Sequence, residues 1–257
     1  MTTITPNERP AEQGDASAGA RLNRFLAMCG LGARRKVEEL ISAGRVRVDG
    51  KVVLLPGFRV EPGMSVTVDG GPVRPQRLRY LVMNKPEGVV CAVKDDRSPT
   101  VLGLLPAEFD DVRLFPVGRL DRDSCGLLIL TNDGGFAQEV LHPSRRILRG
   151  YEALLDMPIT RADVRRCMAG AVLDGRLVKP VNVLLLDRAP KGCWISVVLA
   201  EGLKREVRRM VAAIDREVVE LVRKRIGKME LRDLPPGEFV EMSRRALWHS
   251  IRTGGIV

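Results

Sequence analysis

The sequence predicts an α+β protein: a small helix–helix–strand module followed by a larger sheet domain. Three observations lead there. From Tyr80 onward, strand-like and helix-like segments interleave without the strict alternation of a doubly wound parallel sheet. Ahead of them, residues 21–70 hold two helical apolar stripes and then alternating strands. Between the two, residues 71–79 (GPVRPQRLR) are rich in Gly, Pro and Arg, as a linker is.

The elements follow in order. Residues 1–20 are polar, lack an apolar core segment and are expected to be a disordered tail, with order beginning near Arg21. Leu22, Phe25 and Leu26 form the stripe of a first helix. Val37, Leu40 and Ile41 form that of a second, which follows Gly32 and ends at Gly44. Arg45-Val46-Arg47-Val48 alternates as a half-buried strand, and Asp49-Gly50 is a hairpin turn into Val52 and Val53. Pro62-Gly63 turns again before Val66-Thr67-Val68. In the larger domain, residues 80–257, strands are expected over 80–83, 89–93, 127–130, 151–155, 181–186 and 194–199. Helices are expected over 136–141, 162–169 and 206–214. Asn84-Lys85-Pro86-Glu87-Gly88 and Asn132-Asp133-Gly134 are turn signals.

Composition narrows the chemistry. The chain has 257 residues and a net charge of +10, which favours phosphate-rich partners through counterion release. A basic protein with no nucleic-acid role is the plainer alternative. The five cysteines are scattered singly with no CxxC pair, which argues against a zinc site. Their odd number and the lack of a signal peptide predict reduced thiols and a cytoplasmic location. No apolar run approaches the roughly 20 residues of a membrane span. Walker, GxSxG, GxGxxG and HExxH motifs are missing. Of the two histidines, His142 precedes a proline and reads as a helix-end residue. An enzyme built on this chain has to use carboxylate, Arg, Lys, Tyr or Cys.

Two charged segments stand out. In VGRLDRDSCGLLILTNDG, Arg119, Asp121, Arg122 and Asp123 lie directly before a core strand, which marks either a structural ion network or an active site. In EGLKREVRRM, Lys204 and Arg208 lie one helical turn apart, as do Arg205 and Arg209, and like charges at that spacing repel. A third group holds Arg223, Lys224, Arg225 and Lys228. A solvated basic face explains such groups without function; the alternative is a track for an RNA backbone, with one arginine turned toward a carboxylate. In the first module, Arg34, Arg35 and Lys36 open a helix against its dipole, a cost that a bound phosphate would offset. Only two tyrosines exist, and Tyr151 begins a strand where its ring either packs in the core or offers a stacking platform.

The segment RLNRFLAMCGLGARRKVEELISAGRVRVDGKVV resembles an S4 domain, a small RNA-binding module, with Ala33 where that family usually has serine. LVMNKPEGVV, FPVGRLDRDSCGLLILTNDG and EGLKREVRRM, with the ending from Leu231 to Glu238, resemble the RsuA-type pseudouridine synthases of bacterial ribosomal RNA. The resemblance covers nearly everything from Arg21 to Val240. It implies a mixed, mainly antiparallel sheet flanked by helices, and isomerisation of uridine to pseudouridine without metal or organic cofactor. It carries the catalytic aspartate onto Asp121, the active-site tyrosine onto Tyr151 and the basic residue paired with the aspartate onto Arg208. A nearby arginine keeps such a carboxylate anionic, the tyrosine stacks on uracil and assists a late proton removal, and the target base must flip out.

The RNA-contacting residues expected are Arg34, Arg35, Lys36, Arg45, Lys85, Arg119, Lys204, Arg205, Arg209 and Arg223. The expected partner is ribosomal RNA, naked or within an assembling subunit, bound by a monomer with no membrane contact. Glu206, Arg149, Gly150 and Cys125 depart from the family's common glutamine, lysine, threonine and polar or acidic residue. Cys125 reads as a packing residue. Two other readings stand beside this one: a non-catalytic RNA-binding or ribosome-assembly factor that keeps the fold, and an Asp-dependent hydrolase or glycosidase with Asp123 as its second carboxylate.

Overall fold

The computed structural model describes residues 19–257, and the chain divides into two compact units between Arg77 and Leu78. The first unit holds β1 (Ala20–Arg21), α1 (Leu22–Met28), α2 (Arg34–Ser42), β2 (Val46–Val48), β3 (Lys51–Val52), β4 (Arg59–Val60), β5 (Val66–Val68) and β6 (Gly71–Pro72). Strands β3, β2, β5 and β6 form one antiparallel sheet, and β1 pairs with β4. The helical stripes meet as their spacing dictates: Leu22, Phe25 and Leu26 pack with Val37, Ile41, Val46 and Val66.

Two boundaries move. The expected tail lies outside the described residues apart from its last two, and Ala20 already pairs with Val60. Gly71 and Pro72, expected in the linker, extend the sheet by pairing with Val68 and Thr67. Ala33 occupies the N-cap of α2 and makes no side-chain cap bond.

The second unit continues with β7 (Tyr80–Lys85), β8 (Phe115–Pro116), β9 (Cys125–Thr131), α3 (Gly134–Leu141), β10 (Arg149–Leu155) and α4 (Arg161–Ala169). Then come β11 (Ala171–Leu173), β12 (Arg176–Val178), β13 (Asn182–Leu185), β14 (Trp194–Leu199), α5 (Glu206–Ala212) and β15 (Val218–Ile226). β16 (Met229–Glu230), β17 (Phe239–Glu241), α6 (Arg244–Thr253) and β18 (Gly255–Ile256) complete it. The main sheet runs β13-β14-β10-β15-β9-β7-β17, with β8, β16 and β18 attached at its side. It is mixed and mainly antiparallel; β15 with β9, and β16 with β18, are its parallel pairs. One face buries Tyr151, Ala153 and Leu221 under α4 and α5, and Leu128 and Leu130 under the 101–114 segment. The other buries Leu127, Ile129 and Ile226 under α3 and α6. Asp133, the turn signal after β9, caps α3 by accepting from the N–H groups of Gly135 and Phe136 and is itself held by the Tyr80 hydroxyl at 2.8 Å.

Several elements differ from expectation. Residues 89–93 form no strand beyond a single bridge from Val90 to Thr100. Pro86 and Gly88 turn the chain there, and buried Val89 anchors it as a loop. The basic group at 223–225 belongs to the nine-residue strand β15, where interspersed charges hide the period of two. Hairpin β11–β12 and helix α6 have no counterpart among the expected elements.

Two antiparallel runs of strands, β13-β14-β10-β15 and β9-β7-β17, are joined by β15 and β9 over two residue pairs, Val222 with Cys125 and Arg223 with Gly126. Gly126 sits at φ +104, and a Cβ there would lie 2.4 Å from the Arg223 carbonyl oxygen. Only glycine permits that approach. Gly126→Ala is expected to destabilise the protein by about 3 kcal/mol or more in urea unfolding, because backbone strain and forced strand separation combine. A change under about 1 kcal/mol would show that the strands part freely.

Candidate active site

The loop between β8 and β9 carries the charged turn, and three contacts shape it. The Val117 N–H donates to the Ile129 carbonyl at 2.8 Å, the Ser124 N–H to Asp121 at 3.1 Å, and the Gly88 N–H to Arg122 at 2.9 Å. Lys85, at the end of β7, lies fully buried behind the loop. Its ammonium donates to the carbonyls of Ser124 at 2.6 Å, Pro86 at 2.9 Å and Arg122 at 3.4 Å. Burial pushes the ammonium below the ordinary lysine range. Lys85 is therefore no RNA contact. It is an internal clamp that orders the loop, and its place in a strand buried on both faces denies it to solvent.

In front of the loop opens a cavity of about 480 Å³. Asp121, Arg119 and Ser124 line it from the loop, Tyr151 and Leu221 from the sheet, and residues 202–207 from the approach to α5. Asp121 keeps 34% of its side chain exposed, whereas Tyr151 is nearly buried with its ring against the apolar core. The cavity thus brings together a reachable carboxylate, an aromatic ring and several cations.

The pairing of charges differs from the expected one. Arg208 does not engage Asp121. Its Nη2 lies 3.1 Å from Asp123 Oδ2 and donates to the Asp123 carbonyl at 2.8 Å, while Nη1 donates to Val218 O at 2.6 Å. The cation nearest Asp121 is Arg205, with Nη1 at 3.9 Å from Oδ2 and 3.3 Å from Asp123 Oδ2. Arg205 reaches both because it caps α5 in the left-handed conformation, φ 52, at the bend into the helix. Glu206 secures that bend by accepting from the Leu203 N–H at 2.8 Å. It is buried, so its carboxyl is pushed up; the Leu203 hydrogen bond offsets this in part.

The other expected cations divide. Arg119 and Lys204 are exposed at the cavity. Arg209 is held by Asp174 at 3.0 and 3.1 Å. Arg223 is buried and donates from Nε to the Leu127 carbonyl at 2.7 Å; it staples the two half-sheets and is withdrawn from any RNA surface. In the first unit, Arg34, Arg35 and Lys36 are exposed together at the start of α2, while Arg45 forms an ion pair with Asp69. Cys125 is a packing residue: its Sγ faces the Leu221 carbonyl at 3.6 Å, and burial pushes the thiol up. His142 caps the end of α3 and bonds Ser144.

With this geometry established, comparison with known proteins is decisive. A family model described as RNA pseudouridylate synthase matches residues 79–213, and an S4 domain model matches residues 20–66. The chain belongs to the RNA pseudouridylate synthase family. The synthase is 37% identical over 240 residues to an uncharacterized RNA pseudouridine synthase of Aquifex aeolicus (strain VF5), covering 92% of this chain and 95% of that one. It is 36% identical over 225 residues to ribosomal large subunit pseudouridine synthase B of Bacillus subtilis (strain 168), covering 87% and 92%. A crystal structure of a pseudouridylate synthase superposes with a TM-score of 0.63 at 26% identity, covering 89% of this chain and 98% of that one. Its chemistry is isomerisation of uridine in RNA. No helix among the described residues is long and apolar enough to cross a membrane.

The synthase also shows what the sequence concealed. Asp123 looked like a neighbour of the catalytic candidate, yet it receives both arginines. Glu206 looked like a charge placed near Arg208, yet it holds a loop. The signal for Glu206 was its position three residues after Leu203, the spacing at which a carboxylate reaches back to a backbone N–H before a helix. A carboxyl raised on folding holds its proton more tightly folded than unfolded. Its stabilising effect is complete below the ordinary 4.5 and is lost as pH rises through the raised value. Glu206→Gln keeps the acceptor and removes the charge. In thermal melts it is expected to be more stable than the parent at about pH 7.5, the gap closing near pH 4. A gap independent of pH would show that burial of this charge has no cost.

Proposed function

We propose that the synthase isomerises a uridine of bacterial large-subunit ribosomal RNA, with Asp121 as nucleophile. The observation that carries this reading is one cavity holding the half-exposed Asp121 carboxylate, the Tyr151 ring and the Arg205 guanidinium. The large-subunit assignment draws on the relative from Bacillus subtilis, matched over most of both chains. Family membership with Asp121 and Tyr151 in one cavity favours catalysis over a purely RNA-binding assembly role.

The steps follow from the residues. The target nucleoside flips into the cavity, since Asp121 cannot reach a stacked base. An Asp121 oxygen bonds to C1′ as the C1′–N1 bond breaks, its electrons leaving with the uracil. Arg205, about 4 Å away, faces the carboxylate without occupying its oxygens by a hydrogen bond. The detached base stacks on Tyr151 and turns; C5 then bonds to C1′ and displaces Asp121. The C5 proton is lost and N1 gains one, so the net change is isomerisation. Arg119 and Lys204, exposed at the rim, meet the flanking phosphates. Arg34, Arg35 and Lys36 supply a second phosphate-binding surface on the S4 unit, and the synthase acts as a monomer in the cytoplasm.

Two experiments test this. Asp121→Asn is expected to bind ribosomal RNA with near-parental affinity and to release no tritium from RNA labelled at uracil C5; sustained release would remove Asp121 from the mechanism. Replacing Arg34, Arg35 and Lys36 together with alanine is expected to lower the slope of log affinity against log salt by about 2 to 3. An unchanged slope in filter binding would remove this surface from the RNA interface.

A further inference from the structure

We infer that Asp123 is a positioning residue for the reaction: it holds Arg205 near Asp121, with Arg208 anchored behind it, while leaving the Asp121 oxygens free to attack. This rests on the reading of Asp121 as nucleophile. A carboxylate oxygen engaged by a close guanidinium has its lone pairs committed to N–H donors, which weakens it as a nucleophile. At 3.9 Å, Arg205 is beyond hydrogen-bond distance of Asp121 yet within strong Coulombic range. What keeps it there is Asp123, whose two carboxylate oxygens lie 3.3 and 3.5 Å from the same Nη1. Arg208 is anchored to the same residue twice, through carboxylate and carbonyl, and a third time through Val218. Its side chain is 11% exposed, so it has little freedom to swing elsewhere.

The arrangement is two aspartates against two arginines, with the contacts distributed unequally. Asp123 takes the short ones and Asp121 only the long one. The turn closed by the Ser124 N–H on the Asp121 carbonyl is what brings both acids to one side, two residues apart. Without charge at position 123, Arg205 loses its short contacts and the carboxylate left within its reach is Asp121, while Arg208 stays on the Asp123 and Val218 carbonyls. Direct pairing of Arg205 with Asp121 would then block the nucleophile. Asp123 thus acts through Arg205 and touches no reacting atom.

The test is single-turnover tritium release at saturating enzyme, using C5-labelled ribosomal RNA purified from cells deleted for this protein, beside filter binding of the same RNA. Asp123→Asn is expected to slow the saturated rate about thirtyfold while affinity changes less than about threefold. Asp123→Glu, which keeps the charge, is expected to recover most of the rate. Arg205→Gln is expected to slow the reaction too, and adding Asp123→Asn to it to cost much less than the product of the two single effects. All variants are assayed below their melting transitions. A parental rate in Asp123→Asn, a loss not rescued by Glu, losses that multiply independently with Arg205→Gln, or a rate that falls only in step with affinity would overturn the inference. Turnover by Asp121→Asn would instead overturn the reading beneath it, a result visible without any variant at 123.

Discussion

The close approach of two strands, β9 and β15, is the constraint on which the site depends. The strand runs β13-β14-β10-β15 and β9-β7-β17 are each antiparallel, but they share only two residue pairs. The acid enters from one half, on the loop leading into β9, and the tyrosine stands on β10 in the other. Their separation is therefore set by how tightly the seam closes. Gly126 removes the side chain that would hold the strands apart, and Arg223 bridges them by donating to Leu127. A buried arginine in a strand is costly to desolvate. Here it bonds a carbonyl on the opposing strand, so breaking the seam would strand both groups.

Charge is arranged with similar economy. The net charge of +10 suggests a broad cationic surface, yet many of the cations expected to meet RNA are otherwise engaged. Arg209 belongs to Asp174, Arg45 to Asp69, Arg223 to the seam and Lys85 to the interior. The cations exposed near the cavity, Arg119 and Lys204, lie at its rim, and those on the S4 unit cluster at one helix start. The exposed cations among these residues are concentrated at a few places, as the proposed placement of one nucleotide over one carboxylate requires.

Much of the fold was legible because most elements obey one period. The stripes of α1, α2, α3 and α4, and strands β7, β9, β10, β13 and β14, follow from apolar spacing and turn residues. β15 was not legible: Glu220, Arg223, Lys224 and Arg225 interrupt its apolar positions, and only pairing with neighbours on both sides makes it a strand. At the site, motif resemblance placed Asp121 and Tyr151 in segments that tertiary structure brings to one cavity. It could not apportion Arg205 and Arg208 between two aspartates, because the left-handed turn at Arg205 decides which guanidinium faces which acid. Nor could it distinguish Lys85 from a surface lysine, since burial of a chain end is settled by what packs over it.

Lys85 has one further consequence. Its ammonium serves three carbonyls of the neighbouring loops at once and hydrogen-bonds no carboxylate. Losing it would withdraw a shared donor from all three in a dry interior, so the turn that presents Asp121 rests on a side chain with no exposed surface.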